Sequence, residues 1–194
     1  MINHVDGKLT EKTPTYAVIE CGGVGYLLNI SLNTFSKIPD NERCKLYAHL
    51  AIREDAHVLY GFADTKERDM FRHLISVSGV GASTARMILS SLNPSEVQQA
   101  ILTGNVAQLK SIKGIGEKSA QRIIVDLKTK MGKDEMGTDV LVTSGNTMRN
   151  EALAALSMLG FARNVSDKAI DKVLTSNRSI STVEELIKQT LKNL

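Results

Sequence analysis

The chain has 194 residues, enough for one to three small domains, and its hydrophobic fraction of 42% is ordinary for a globular protein. Only 4% of the residues are aromatic and none is Trp, so base stacking is not expected to dominate any binding of nucleic acid. The net charge of +3 is small but uneven: residues 64–135 carry eleven Lys and Arg against eight Asp and Glu, whereas residues 1–63 carry six against seven. This excess of positive charge favours an anionic partner for the middle of the chain.

The two cysteines and the first residues exclude several other classes of protein. Cys21 and Cys44 belong to no Cys-x-x-Cys or Cys/His cluster, which argues against a zinc or iron–sulfur site. Residues 1–10 contain polar and charged residues throughout, so they do not read as a signal peptide. No apolar run approaches the length of a membrane span. We therefore expect a cytoplasmic protein with reduced cysteines, no metal and no cofactor.

Residues 1–63 alternate between short β-branched or apolar runs and polar segments, which is the pattern of strands and turns. The candidate strands are 1–9, 16–21, 25–30, 46–52 and 58–62. About five short strands predict a small barrel, for which an OB-like fold is our first expectation and an SH3-like barrel is the alternative. Glu54 and Asp55 lie in the polar turn between the last two strands.

From residue 64 onwards, apolar residues recur at helical spacing. Asp64 or Thr65 is placed to cap a helix, and Asn93, followed by proline, marks the start of another helix. Residues 103–105 end that helix, and a last helix is predicted over 118–130. Residues 64–131 are therefore predicted to form a helical domain.

Two glycine turns in this helical region stand in matching surroundings, 35 residues apart. Gly-Val-Gly at 79–81 matches Gly-Ile-Gly at 114–116, and the flanking segments 74–89 and 109–124 have apolar residues at equivalent positions. An internal repeat of this kind, with helical spacing before and after each turn, predicts a tandem helix-hairpin-helix domain.

The chemistry of these turns follows from their small residues. A glycine permits backbone angles and close approaches that a side chain would block. Val80 or Ile115, between the glycines, is placed to fill the cleft between two helices, and the small Ala85 or Ala120 lets the second helix pack closely. That helix starts just after each turn, so its unpaired N–H groups and positive dipole end make an anion site. Two such sites suit neighbouring phosphates of a duplex.

Other glycine motifs fit the two turns less well. The dinucleotide-binding fingerprint needs a third glycine and a preceding strand, but the third positions hold Thr84 and Ser119 in a helical context. A P-loop needs Gly-Lys-Ser/Thr after a four-residue spacer, which the chain lacks. We predict no nucleotide site, and ordinary turns between helices remain the alternative to phosphate binding.

Residues 132–147 are rich in Gly, Asp, Lys, Ser and Thr, which predicts a flexible linker. Residues 148–194 then read as a compact three-helix module, too small to be strongly stable alone. Its predicted helices are 149–159, 165–174 and 181–194. The apolar residues of the module either build its core or face a partner, and their periodicity does not separate the two sets.

This order of parts resembles the RuvA family of bacterial proteins that bind Holliday junctions, and the resemblance covers the whole chain. It rests on Gly-Gly-Val-Gly-Tyr at 22–26, on Arg-Glu-Asp-Ala-His-Val-Leu-Tyr-Gly-Phe at 53–62 and on the two glycine turns. The implied fold is an α+β multidomain chain. Its parts are an OB-like β-barrel (1–63), a tandem helix-hairpin-helix domain (64–131), a linker (132–147) and a C-terminal three-helix module that is UBA-like in shape (148–194).

The resemblance also implies a function. RuvA proteins hold a four-way junction open as a homotetramer, or as an octamer of two stacked tetramers, and perform no bond chemistry. Their C-terminal module contacts RuvB, the hexameric ATPase that drives branch migration, and the resolvase RuvC joins the resolving complex. The chain is thereby expected to be a non-enzymatic DNA-binding subunit that acts in recombination and DNA repair in the bacterial cytoplasm.

The family's residue roles transfer position by position. Glu54 and Asp55 match an acidic pin near the centre of the junction, although the pattern alone fits a plain polar turn. Leu159, Gly160 and Phe161 are candidates for the partner contact. Lysine is common among relatives at the position of Ser83, and Arg86 is a candidate to compensate for it. The predicted phosphate-binding residues are Gly79, Val80, Gly81, Ser83, Arg86, Gly114, Ile115, Gly116, Lys118 and Arg122.

Two other functions stay open at this point. A helix-hairpin-helix glycosylase or nuclease would place a catalytic acid near Asp126, but the neighbours of this residue indicate an exposed helical face. A nuclease would also need several grouped carboxylates to bind Mg²⁺. A general single-strand-binding adaptor would need exposed aromatic residues on the barrel, where the candidates are Tyr16, Tyr26, Tyr47 and Tyr60.

Overall fold

A computed structural model describes residues 2–40, 43–135, 144–177 and 180–194 of the chain. The described residues of its first part form the strands β1 (His4–Lys12), β2 (Tyr16–Cys21), β3 (Val24–Asn29), β4 (Arg43–Ile52) and β5 (His57–Phe62). They close into a barrel in the order β1-β2-β3-β5-β4. The pair β3–β5 is parallel and the other pairs are antiparallel. This is an OB-like barrel, which confirms the first prediction and sets the SH3-like alternative aside.

The interior of the barrel is filled by alternate residues of its strands. On β2, Ala17 and Ile19 are fully buried, whereas Val18 and Glu20 are more exposed. Gly61 allows a close approach between strands, because a Cβ on this residue would lie 2.9 Å from the Cβ of Leu28. The missing side chain lets β5 come close enough to β3 for the parallel pairing that closes the barrel.

A short helix, α1 (Leu32–Lys37), connects β3 to β4 and was not among the predicted elements. Ser31 caps it by accepting a hydrogen bond from the N–H of Thr34 at 2.9 Å. Six residues make fewer than two helical turns, so the segment carries too little periodicity to be predicted. Ser31 and Thr34 are both buried against the helical part of the chain.

The helical part consists of α2 (Thr65–Ile75), α3 (Ala82–Ser91), α4 (Pro94–Thr103), α5 (Val106–Lys110) and α6 (Glu117–Glu135). Asp64 caps α2, and Asn93 forms a capping box with α4. The apolar faces of these helices share one core, which extends to residues of β5. Phe71 of α2 packs against Phe62 of β5 with ring centroids 4.9 Å apart. Residues 1–137 accordingly form one compact unit.

The second compact unit, residues 138–194, contains the helices α7 (Ser144–Met158), α8 (Arg163–Ser176) and α9 (Val183–Leu191). Thr182 caps α9 by accepting from a backbone N–H of its first turn. The unit has its own buried core, made of Ala152, Leu153, Leu156, Ile170, Val173, Ile180 and Leu186. These helices confirm the predicted three-helix module.

The helices reach further into the predicted linker than expected. α6 ends at Glu135 rather than at residue 130, and α7 starts at Ser144 rather than at residue 149. Gly132 lies within α6, although a glycine costs a helix about 1 kcal/mol relative to alanine. The preceding turns are anchored by buried Leu127 and Met131, and each further helical residue then adds a hydrogen bond without a new nucleus. Residues 136–143 of the predicted linker lie outside the described residues.

Candidate nucleic-acid interface

The two glycine turns, which we call the first hairpin (76–81) and the second hairpin (111–116), have the same backbone structure. Gly79 and Gly114 both have φ of 88°. Three hydrogen bonds of the first hairpin recur 35 residues later in the second. In the first hairpin, the N–H of Val77 donates to the carbonyl of Leu74 (3.1 Å), the N–H of Val80 to the carbonyl of Val77 (3.0 Å) and the hydroxyl of Ser76 to the carbonyl of His73 (2.7 Å). In the second hairpin, the N–H of Ile112 donates to the carbonyl of Leu109 (3.3 Å), the N–H of Ile115 to the carbonyl of Ile112 (3.1 Å) and the hydroxyl of Ser111 to the carbonyl of Gln108 (2.8 Å). The predicted tandem repeat is confirmed.

The glycines of each hairpin serve two different needs. Gly79 and Gly114 adopt a left-handed φ that residues other than glycine rarely adopt. At Gly81 and Gly116 the φ is not left-handed, and an added Cβ would meet no atom of the described chain within 4 Å. No contact with the described residues therefore demands a missing side chain at these two positions. What the glycines provide there is bare backbone that faces solvent.

Helices α3 and α6 begin directly behind this bare backbone. Ala85 donates its N–H to the carbonyl of Gly81 at 2.9 Å, and Ala120 does the same to Gly116 at 2.9 Å. The N–H groups of the preceding turn have no such intrahelical acceptor, because helix geometry supplies none. No side chain of the described residues caps α3 at Gly81. Each hairpin thus offers N–H donors and a positive dipole end to an external anion.

Val80 and Ile115 lie behind this surface rather than on it. Their side chains are only 6% and 5% exposed, and their N–H groups are used inside the turns. Ala85 and Ala120 are fully buried beneath them. The structure therefore gives Val80 and Ile115 the predicted packing role between the helices, and their burial does not support direct phosphate contact.

Positive charge surrounds the second hairpin. Lys118 and Arg122 are exposed on α6, four residues apart and hence on one face of the helix. Lys113, directly before Gly114, is also exposed; it is not among the predicted phosphate-binding residues, although its position beside a hairpin glycine was a usable signal. Lys110 pairs with Glu117 at 3.1 Å, which neutralises the acidic residue at the start of α6.

The first hairpin is different. Ser83 is exposed at the predicted position near the start of α3. Arg86, in contrast, points to the barrel, where its Nη1 donates to the carbonyl of Thr15 and to Oδ1 of Asn29, both at 3.1 Å. The prediction that Arg86 compensates for Ser83 at a phosphate is thus opposed by the structure. The physical reason is that the barrel supplies two acceptors to a guanidinium that would otherwise face solvent.

Glu54 and Asp55 lie at the exposed tip of the hairpin that joins β4 to β5. The turn is closed by a hydrogen bond from the N–H of Arg53 to the carbonyl of Ala56 at 2.9 Å. Ile52, at the base of the tip, is 69% exposed. The arrangement presents two carboxylates away from the body of the barrel, as an acidic pin requires.

The second unit carries an apolar patch of its own, made of Met158, Leu159, Phe161 and Val165. Their exposed fractions are 90%, 61%, 38% and 50%. Gly160, with φ of 97°, makes the turn between α7 and α8 that holds Leu159 and Phe161 at the surface. The structure therefore separates these residues from the core of the module, which periodicity had not done. Exposed apolar side chains in a cluster mark interaction surfaces.

Comparison with known proteins decides the family. Family models match the chain as the RuvA N terminal domain over residues 1–61, a SAM-like helix-hairpin-helix tandem over 71–129 and the RuvA C-terminal domain over 147–194. The chain belongs to the RuvA family. It is 55% identical to a protein of Christiangramia forsetii and 50% identical to one of Flavobacterium psychrophilum, each over 194 residues and the full length of both chains. Both relatives are named Holliday junction branch migration complex subunit RuvA.

RuvA membership favours junction binding over the two alternative functions. Asp126, the candidate acid of a glycosylase, is exposed on α6 as its neighbours had indicated. Of the tyrosines that an adaptor would use for stacking, Tyr60 is buried in the core. In the described ranges, no group of three or more His, Cys, Asp or Glu could hold a metal ion. Those ranges also contain no helix long and apolar enough to cross a membrane.

Proposed function

We propose that this chain is the Holliday-junction-binding subunit of a branch migration complex, which holds four-way DNA open and positions a hexameric ATPase without catalysing a reaction itself. The observation that carries the proposal is the duplicated hairpin with its repeated hydrogen bonds and bare, outward-facing glycines. The names of full-length relatives support the same function.

In this function the hairpins bind the DNA backbone. The N–H groups at the starts of α3 and α6 donate to phosphate oxygens, near Gly81 and Gly116. Lys118 and Arg122 add charge at the second hairpin, where the release of counterions strengthens binding at low salt. Contacts to phosphates carry no sequence information, so the protein binds junctions of any sequence.

The acidic tip acts by repulsion. Carboxylates beside phosphates raise the electrostatic energy, so Glu54 and Asp55 disfavour DNA strands that lie across them. Four copies of the chain around a four-way junction would place four such tips near its centre. There the repulsion keeps the strands apart while they exchange arms. A homotetramer is therefore the assembly that matches the symmetry of the DNA, and a second tetramer would make an octamer.

The second unit supplies the partner contact. Its apolar patch, centred on Leu159, Gly160 and Phe161, is the surface we assign to RuvB, the hexameric ATPase. This division leaves DNA binding to residues 1–137 and motor recruitment to residues 138–194. We propose further that the resolvase RuvC joins the same junction complex and that the chain acts in recombination and repair in the cytoplasm.

A competition experiment at fixed salt tests the proposal. The protein is bound to a labelled four-way junction, and unlabelled junction, linear duplex and single strand of the same sequences are added. We expect the junction to displace the label at far lower concentration than the other two DNAs. The double variant Lys118→Met/Arg122→Met should weaken binding to every DNA, whereas Lys168→Met/Lys172→Met, in the second unit, should not.

Each contrary outcome favours a different function. Equal displacement by junction and duplex would contradict junction binding and leave a general DNA-binding module. Preference for the single strand would favour an adaptor. Cleavage of the labelled junction in Mg²⁺ would contradict the assignment of a non-catalytic subunit.

A further inference from the structure

The two hairpins share a backbone but not their charge. Three cations, Lys113, Lys118 and Arg122, surround the second hairpin, and a fourth, Lys110, pairs there with Glu117. The residues 35 positions earlier, around the first hairpin, are all uncharged: Ile75, Ser78, Ser83 and Met87. Both hairpins nevertheless present the same bare backbone at the start of a helix. If both hold phosphates, the first hairpin needs a cation from elsewhere in the fold.

Nearby arginines on α2 and α3 are engaged with other groups. Nη1 of Arg72 lies 3.6 Å from Oδ1 of Asp69, one helical turn away on α2. Arg86 is held by two acceptors on the barrel. Neither arginine is therefore well placed to pair with a phosphate at the first hairpin.

The far half of α6 brings a lysine to this place. Nζ of Lys130 lies 3.2 Å from Oγ of Ser76, which is the C-terminal cap of α2 and the first residue of the first hairpin. The Ser76 hydroxyl already donates its hydrogen to the carbonyl of His73 at 2.7 Å, so its oxygen accepts from Lys130. The side chain of Lys130 is exposed. A residue remote in sequence thus places a positive charge beside the uncharged hairpin.

We propose that Lys130 is the phosphate-binding cation of the first hairpin, so that the single helix α6 supplies charge to both hairpins. Lys118 and Lys130 are twelve residues apart, which separates them by about 18 Å along the helix axis. An ammonium group has three hydrogens, and Ser76 takes only one of them. The flexible stem of lysine lets Nζ move to a phosphate bound at the turn. This inference rests on the proposed function and adds a binding residue to it.

The test compares Lys130→Met with a matched control on the same helix. Lys128 is also exposed on α6 but lies two residues earlier, about 200° around the helix axis. Affinity for a labelled four-way junction is measured for the full chain by fluorescence anisotropy at several salt concentrations. We expect Lys130→Met to make the plot of log affinity against log salt shallower, by about one for each copy of the chain engaged. Lys128→Met should keep the wild-type slope.

A second variant asks whether the lost charge can be restored at the hairpin itself. Ser83 stands where Lys118 stands in the repeat, so Ser83→Lys in the Lys130→Met background should bring the slope back towards the wild-type value. Lys130 also lies at the negative end of the α2 dipole, where it stabilises the helix. If that were its only role, Lys130→Met would lower the Tm of the free protein and leave the salt slope unchanged, which would overturn the proposal.

The failure of this inference differs from a failure of the proposed function. Wild-type protein without salt-dependent preference for the junction would contradict the proposed function as a whole. Wild-type protein that binds the junction with a steep salt slope, together with a Lys130→Met variant of equal slope, would remove only Lys130 from the interface.

Discussion

Among single residues, Glu67 shows how a buried charge joins two parts of the first unit. Its carboxylate is fully buried and accepts hydrogen bonds from the hydroxyls of Ser31 and Thr34, the latter at 2.7 Å. Thr34 Oγ1 in turn accepts from the N–H of Ala63 at 3.1 Å. Burial raises the pKa of Glu67, and the hydroxyl donors oppose that rise only in part. The network links α1, on the barrel, to α2 of the helical part.

This raised pKa predicts a pH dependence of stability. A carboxyl whose pKa is higher in the folded than in the unfolded protein adds stability that is complete below the unfolded pKa and is lost as pH rises through the folded pKa. We therefore expect the free energy of unfolding of wild type to fall relative to Glu67→Gln as pH rises from about 4 towards neutrality. Denaturant unfolding of both proteins at stepped pH measures the difference.

The pKa of Asp64 is shifted in the direction opposite to that of Glu67. Burial opposes its ionisation, but hydrogen bonds from Lys37 and from the backbone of Glu67 outweigh burial and lower its pKa. Wild type should therefore lose stability relative to Asp64→Asn as pH falls through the folded pKa of this group. Parallel curves for wild type and Glu67→Gln would show that the carboxyl of Glu67 does not titrate differently in the folded protein.

The sequence alone predicted which charged residues lie near the hairpins, but it did not predict the groups that those residues contact. Lys118 and Arg122 follow the second hairpin directly, so their place was readable from the local pattern. Lys130 and Arg86 contact groups more than fifty residues away, at Ser76 and Asn29. Packing brings those groups together, and no periodicity or spacing within a single helix reports it.

At the scale of elements, the hairpins were predictable because the repeat preserves their chemistry twice. The spacing of the glycines and apolar residues fixed both the turn and the packing beneath it. The short α1 was not predictable, since a six-residue helix depends on its cap and its burial rather than on periodicity. The extension of α6 past Gly132 escaped prediction for a related reason: local propensity opposes it, and tertiary anchoring of the preceding turns overrides propensity.

The two kinds of glycine in the second hairpin predict opposite outcomes for alanine. In Gly116→Ala the added methyl group meets no atom of the described part of the chain within 4 Å, so the free energy of unfolding should stay within about 1 kcal/mol of wild type. Affinity for the junction should fall, because the methyl group now covers the bare backbone. Gly114→Ala must adopt φ of 88°, which should cost about 1 kcal/mol or more of stability. Thermal unfolding and junction binding of both variants measure the difference.

The control for this pair is Gly104→Ala. Gly104 ends α4 with φ of 71°, so alanine there should destabilise the fold as Gly114→Ala does. It lies outside both hairpins, and junction affinity of the folded variant should match wild type. An unchanged affinity of Gly116→Ala would mean that no phosphate approaches the bare backbone of the second hairpin.

For the whole molecule, the order of the parts was predictable because each part has its own periodicity and turn chemistry along the chain. The packing of the barrel and the hairpins into one compact unit was not predictable from the sequence. The helical core includes Tyr60 and Phe62 of the barrel. The predicted domain boundary after residue 63 had assigned both residues to the barrel domain alone. As a result, the acidic tip with Glu54 and Asp55 belongs to the same compact unit as both hairpins. Its charges act at a fixed place relative to the proposed phosphate sites.

This fixed placement makes the acidic tip testable through the choice between DNA structures. Glu54→Gln/Asp55→Asn removes two charges and preserves the shape of the turn. Duplex binding should stay equal or become stronger, because repulsion of phosphates is reduced, while the ratio of junction to duplex affinity should fall. The effect should shrink as salt rises, because the tip is exposed and its charges are screened. Competition binding at two salt concentrations measures both trends.

A matched loss of charge elsewhere separates the position of these carboxylates from their sign. Glu151→Gln/Glu184→Gln removes two exposed carboxylates from the second unit and changes the net charge equally. If long-range attraction alone governed the selectivity, both double variants would shift junction and duplex affinity together. A lower junction-to-duplex ratio only for Glu54→Gln/Asp55→Asn assigns selectivity to the tip. A ratio equal to wild type would contradict the pin role and leave the hairpins as the source of junction binding.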